Sequence, residues 1–106
     1  MSKMQRTKGH GYERRIASKL RHIFPAAKRH LEYQAGEANG VDLDNTGRLR
    51  IQCKRYAKYA PIAKIKEVQA DGIHVLVTRG DRERDVACLY LDDLIAILED
   101  VGVVYE

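Results

Sequence analysis

The run Ile73-His74-Val75-Leu76-Val77-Thr78 restricts the fold of this chain more than any other stretch. It is nearly continuous in apolar and β-branched residues, ends in a turn, and is too short for a core helix. Such a run is a strand covered on both faces. A strand of that kind needs a layer above it and a layer below it, which points to a sheet with helices packed on its two sides.

The flanking segments supply those layers. Tyr12, Ile16, Leu20 and Ile23 recur at helical spacing, with Glu13 in the first turn and Pro25 as the stop. Residues from Lys28 to Gln34 alternate His30, Glu32 and Gln34 against Leu31 and Tyr33, a strand pattern, and residues 35–40 form a loop. Val41 to Asp44 and Leu49 to Tyr56 are strands joined by the turn Asn45-Thr46-Gly47, so the unit is expected to be a hairpin. Its second strand sends Leu49, Ile51 and Cys53 to one face and Arg50, Gln52 and Lys54 to the other.

Pro61 suits the first turn of a second helix, anchored by Ile62, Ile65 and Val68 and closed by Gly72. After the charged loop of residues 79–85, Val86 to Leu91 reads as a further strand. Asp92 is placed to cap a final helix with the stripe Leu94, Ile95 and Leu98. Residues 101–105 offer a short terminal strand. The expected architecture is α/β, a central mixed β-sheet flanked by helices in the order αβββαββα.

At 106 residues the chain is one domain's worth. Residues 1–11 are basic, contain glycine and lack periodicity, so they are expected to form a flexible arm, with residues 12–106 as a single domain. No apolar run approaches the roughly 18 residues of a membrane span, and the first residues lack the apolar core of a signal peptide, which places the expectation in the cytoplasm. Cys53 and Cys88 have no zinc-type spacing and read as reduced, buried residues. No two of His10, His22, His30 and His74 stand at ligand spacing, and neither a Ser-His-Asp arrangement nor a phosphate-binding glycine loop is present.

The net charge of +4 is unevenly spread. Basic residues are dense up to Lys66, whereas residues 92–106 contain no Lys or Arg. That asymmetry suits a polyanionic partner, nucleic acid above all; the alternative is ordinary solvated surface charge.

The chemistry concentrates in Gly40-Val41-Asp42-Leu43 and Ile51-Gln52-Cys53-Lys54. Hydrolysing a phosphodiester at neutral pH calls for a metal ion that neutralises charge on the phosphate and activates water. Magnesium takes oxygen ligands and retains several waters, so one or two protein carboxylates are enough. Asp42 is the first candidate ligand. Gln52 offers a carbonyl oxygen, Cys53 its backbone carbonyl, and Lys54 a charge to orient water or stabilise the transition state. Glu13 adds a carboxylate if the first helix packs beside the hairpin; the alternative is an acid that merely complements a helix N-terminus. Asp44 shares a face with Asp42, although a turn-entry hydrogen bond toward Thr46 is the simpler reading.

These residues, in this context, carry a resemblance. Lys8-Gly9-His10-Gly11-Tyr12-Glu13-Arg14-Arg15-Ile16, then Gly40-Val41-Asp42-Leu43 and Ile51-Gln52-Cys53-Lys54, resembles the archaeal and phage Holliday-junction resolvases of the PD-(D/E)xK nuclease superfamily. Gln52-Cys53-Lys54-Arg55-Tyr56, with Val75-Leu76-Val77-Thr78 and Leu91-Asp92-Asp93-Leu94, is similar to the Mrr-type restriction endonuclease domain. The resemblance spans residues 8–98 and implies a restriction-endonuclease-like core, dependence on Mg2+ or Mn2+, and a DNA substrate. It assigns Glu13 and Asp42 as acidic ligands, Gln52 as the third position and Lys54 as the lysine.

Gln52 departs from the resolvases, which carry Glu there, and matches the Mrr-like branch. An amide brings no negative charge, so Gln52→Glu is expected to strengthen metal binding. Lys3, Arg6, Lys8, His10, Arg14 and Arg15 near the start, and Arg55, Tyr56 and Lys58 after the lysine, are expected to contact DNA phosphates, the alternative for the basic start being a solubilising tail. The chain has little beyond a core with which to read bases, so the expected activity is a structure-selective Holliday-junction resolvase acting on four-way junctions. Cutting two strands symmetrically implies a homodimer, for which the last helix and the apolar tail offer an interface. The other readings are an Mrr-like restriction or repair nuclease and a catalytically silent DNA-binding module.

Overall fold

The computed structural model describes residues 3–31 and 40–102, with side chains from Gly9 onward. Its elements are α1 (Lys3–Leu20), β1 (Lys28–Arg29), β2 (Leu43–Asp44), β3 (Leu49–Arg55), a 3-10 helix (Ile62–Glu67), β4 (Ile73–Arg79), β5 (Val86–Cys88) and α2 (Leu91–Asp100). The main sheet has the order β3-β4-β5, with β3 and β4 parallel and β4 and β5 antiparallel. It is therefore mixed, and the chain is α/β as expected.

The central strand β4 is covered on both faces. Ile73, Val75 and Val77 join Ile51 and Cys53 of β3, Leu43, and Tyr12, Ile16 and Ala17 of α1 in one core. On the opposite face Leu76 packs with Ala60 and Ile65, the latter from the 3-10 helix. Parallel pairing of β3 with β4 demands a crossover, and residues 56–72 provide it.

Several elements differ from the sequence reading. The first helix begins at Lys3, through the segment read as an arm. Gly9 and Gly11 each weaken a helix by about 1 kcal/mol relative to Ala, which makes this stretch look non-helical in sequence. Glu13 consequently sits in mid-helix, where no helix N-terminus needs complementing. At the other end the helix stops at Leu20, and Ile23 is 73% exposed. The second helix is one short 3-10 segment; Ile65 and Val68 are buried as anchors while Ile62 is exposed.

The hairpin is replaced by a more open arrangement. β2 forms its ladder with β1, antiparallel, and touches β3 through Asp42, whose N–H donates to Ile51 O at 2.8 Å. Of the strand expected from Lys28 to Gln34, Lys28 and Arg29 are confirmed, and residues 32–34 lie outside the described residues. At the C-terminal end, β5 stops at Cys88 and α2 is capped at Tyr90, with Asp92 and Asp93 in its first turn, where acids favour the helix dipole. The stripe Leu94, Ile95 and Leu98 faces outward; Ile97 is the residue of α2 that meets the core. Val101 and Gly102 form a turn, and the rest of the expected terminal strand lies outside the described residues.

Among the described residues no helix is long and apolar enough to cross a membrane. Both cysteines are free thiols, Cys53 buried and Cys88 partly so.

Candidate active site

Asp42 lies immediately before β2, between the residue that follows β1 and the edge of β3. Its N–H bonds to Ile51 O, its C=O accepts from His30 N at 2.8 Å, and its Oδ2 accepts from Cys53 N at 2.8 Å. The carboxylate thus takes the ladder position that a backbone carbonyl would fill in a hairpin. A residue in a strand points its N–H and C=O to the same side, so the Cys53 carbonyl also turns to the Asp42 edge. Burial pushes the Asp42 carboxyl above its ordinary range, and the Cys53 amide and the charge of Lys54 only partly oppose this.

Gln52 and Lys54 lie on the face away from α1. Gln52 is only 2% exposed. Its Nε2 donates to Glu67 Oε2 at 2.7 Å, while its Oε1 is buried without a hydrogen-bond partner. Lys54 Nζ stands 3.3 Å from the same Glu67 oxygen. Lys64 holds Glu67 Oε1 at 3.2 Å. Although desolvation pulls the other way, these lysines keep the Glu67 carboxyl below its usual range. Gly40 fixes this neighbourhood: its φ is +82°, and a Cβ there would collide with the Glu67 carbonyl. The approach to Asp42 and the end of the 3-10 helix are thereby held together.

Asp42, Gln52, the Cys53 carbonyl and Lys54 are brought to one region. Glu13 reaches the sheet from α1, with its Oε2 3.7 Å from Arg29. The Cys53 thiol points into the α1 core, and burial together with Asp42, Glu13 and Asp85 keeps it protonated, so its carbonyl is the group it could offer a metal. Among the described residues no three His, Cys, Asp or Glu side chains gather at metal-binding distance. The fit of a divalent cation rests instead on oxygen donors of mixed type. Asp42 supplies charge, and the orphaned Gln52 Oε1 is a buried acceptor whose unmet bond costs about 1–3 kcal/mol unless something occupies it.

The residues expected to meet DNA differ in exposure and in their partners. Arg14, Tyr56 and Lys58 are exposed. Arg15 is committed to Asp85 at 3.0 Å and lies over the Tyr12 ring, while Arg55 pairs with Asp81 at 2.9 Å. His10 is partly buried on α1, and the side chains of Lys3, Arg6 and Lys8 lie outside the described residues.

Three features went unread in the sequence. Glu67 had no signal beyond an acid between lysines in an amphipathic segment. His30 Nδ1 meets Asp44 Oδ1 at 2.9 Å, in place of the expected Asp44 bond to Thr46, and Asp44 Oδ2 is left buried and unpartnered. With Leu43, Thr46 and Arg50 this pair lines a cavity of about 210 Å3. Asp85 gathers Tyr12, Arg15 and Lys19 onto one carboxylate, a tie between α1 and the segment before β5. In comparisons with known proteins, no family model, curated protein or solved structure matches this chain.

Proposed function

We propose that the chain is a metal-dependent DNA endonuclease of restriction-endonuclease-like fold, with a four-way junction as its first-choice substrate. The observation that carries the reading is a buried Gln52 Oε1 without a partner on the strand whose Cys53 N–H holds the Asp42 carboxylate, with Lys54 on the same face as Gln52. A buried acceptor with no donor, and a carboxylate one strand position away whose ionisation burial opposes, are what a cation would relieve.

Asp42 Oδ1, Gln52 Oε1 and the Cys53 carbonyl would hold Mg2+ or Mn2+, which supplies charge neutralisation at the phosphate and a more acidic water. The chain's own residues set the rest. The Cys53 amide fixes the Asp42 carboxylate in place through Oδ2. Lys54 carries a positive charge on the same strand, where it can stabilise developing negative charge on the phosphate oxygens. Exposed Arg14, Tyr56 and Lys58 provide contacts to the DNA backbone.

Symmetric cutting requires a second copy. The exposed stripe Leu91, Leu94, Ile95 and Leu98 on α2 is the apolar surface on which a two-fold dimer would form.

The test is cleavage of a labelled four-way junction beside a linear duplex, in Mg2+ or Mn2+ and in chelator. Metal-dependent cutting of the junction in preference to duplex is expected. Equal cutting of both would discard the junction preference, and tight binding without cutting in either metal would replace the enzyme with a DNA-binding module.

A further inference from the structure

Gln52 presents a question that chemistry at position 52 alone does not answer. Its amide has two ends, and only one of them can serve a cation. In the structure Nε2 is turned to Glu67 Oε2 and Oε1 is left without a partner. Reversing the amide would set its oxygen 2.7 Å from a carboxylate oxygen, two acceptors facing each other with no proton between them. The same Glu67 oxygen lies 3.3 Å from Lys54, so one carboxylate addresses both members of the Gln52-Cys53-Lys54 strand that project to this face.

We infer that Glu67 is a positioning residue of the site: it locks the Gln52 amide with Oε1 presented as a neutral ligand and supplies the negative charge that position 52 lacks. The inference rests on the metal-dependent reading above. It gives a physical account of how an amide can serve at a position where the resolvases that the chain resembles carry Glu. The carboxylate stands at the end of the 3-10 helix and acts through the amide. Gly40 supports the arrangement, since its backbone closes against the Glu67 carbonyl, and the Lys64 contact holds the second carboxylate oxygen.

One consequence reverses the expectation from sequence. Gln52→Glu alone would face the new carboxylate against Glu67 at hydrogen-bond distance, so tighter metal binding is not expected from it. The exchange Gln52→Glu with Glu67→Gln keeps one carboxylate and one amide and restores the hydrogen bond with donor and acceptor reversed.

The experiment compares wild type, Glu67→Ala, Glu67→Gln, Gln52→Glu and the double exchange, with Asp42→Ala as reference. It reads Mn2+ affinity, proton exchange of the Gln52 side-chain amide by nuclear magnetic resonance, and junction cleavage. Glu67 is partly exposed, so its variants are expected to fold, and thermal unfolding checks this. Glu67→Ala should weaken Mn2+ binding about tenfold and expose the Gln52 amide protons to exchange, as loss of an outer support does at metal sites. Glu67→Gln should keep the amide protected and lose affinity. The double exchange should bind Mn2+ more tightly than Gln52→Glu.

Wild-type Mn2+ affinity and amide protection in Glu67→Ala would overturn the inference and leave the enzyme reading intact, provided that Asp42→Ala abolishes binding. Wild-type protein that neither binds Mn2+ nor cuts DNA would overturn both.

Discussion

Asp42 and Asp85 are two partly buried carboxylates placed on opposite terms with their surroundings. Asp85 receives the Tyr12 hydroxyl, Arg15 and Lys19 at 3.0, 3.0 and 2.7 Å. Burial alone would raise its pKa, but the bonds from Lys19 and Tyr12 and the charge of Arg15 hold it below the ordinary range. Asp42 has one backbone donor and a more distant lysine, and its pKa is raised. The first carboxylate is saturated and ties α1 to the sheet. The second has the Cys53 amide as its hydrogen-bond donor at the edge of β3.

The largest effect that could break this contrast concerns activity. Asp42→Asn and Lys54→Ala should each reduce metal-dependent junction cleavage on the order of 1000-fold, measured as single-turnover rates on folded protein. Asp42→Asn should at the same time raise stability by about 1 kcal/mol in chemical denaturation, because an opposed charge is removed while the Cys53 amide keeps an acceptor. Retained cleavage, or a less stable fold, would place Asp42 with the structural acids.

Asp85→Asn should do the converse. Stability should fall by about 1 kcal/mol, since two half-exposed cations lose their common partner, and cleavage per folded molecule should be unchanged. A loss of activity without loss of stability would move Asp85 into the site.

The smallest effect is the pH dependence of unfolding. Asp85 has a depressed folded pKa, so its contribution is present above the unfolded carboxylate value near 4 and is lost as pH falls through the folded value. Asp42 has a raised folded pKa, so its protonation favours the fold: stability tied to it is present below about pH 4 and declines as pH rises through the folded value. Melting temperatures from pH 3 to 8 should therefore show a shallower acid limb in Asp85→Asn and a smaller loss toward neutrality in Asp42→Asn. Parallel curves for the two variants would contradict the assignment.

What was legible in the sequence was what burial dictates. The apolar run of β4 foretold a strand with two covered faces, and the alternation in β3 put Ile51 and Cys53 toward α1 with Gln52 and Lys54 opposite. The spacing of Tyr12 and Ile16 gave the buried face of α1. What escaped depended on single bonds between distant residues. The hairpin reading assumed a backbone ladder, and no pattern reveals that the Asp42 side chain takes the place of a carbonyl. Glu67 became a neighbour of Gln52 only through the crossover of residues 56–72. The outward stripe of α2 has the same periodicity as an inward one, so position alone separates Ile97 from Leu94 and Leu98.

The central claim is that the Asp42 edge, and not the Asp85 cluster, is built to hold a divalent cation. Mn2+ titration of wild type, Asp42→Asn and Asp85→Asn under one set of conditions tests it most directly. Saturable binding in wild type and Asp85→Asn with equal affinity, and none in Asp42→Asn, is the expected result. Equal binding by wild type and Asp42→Asn would contradict it.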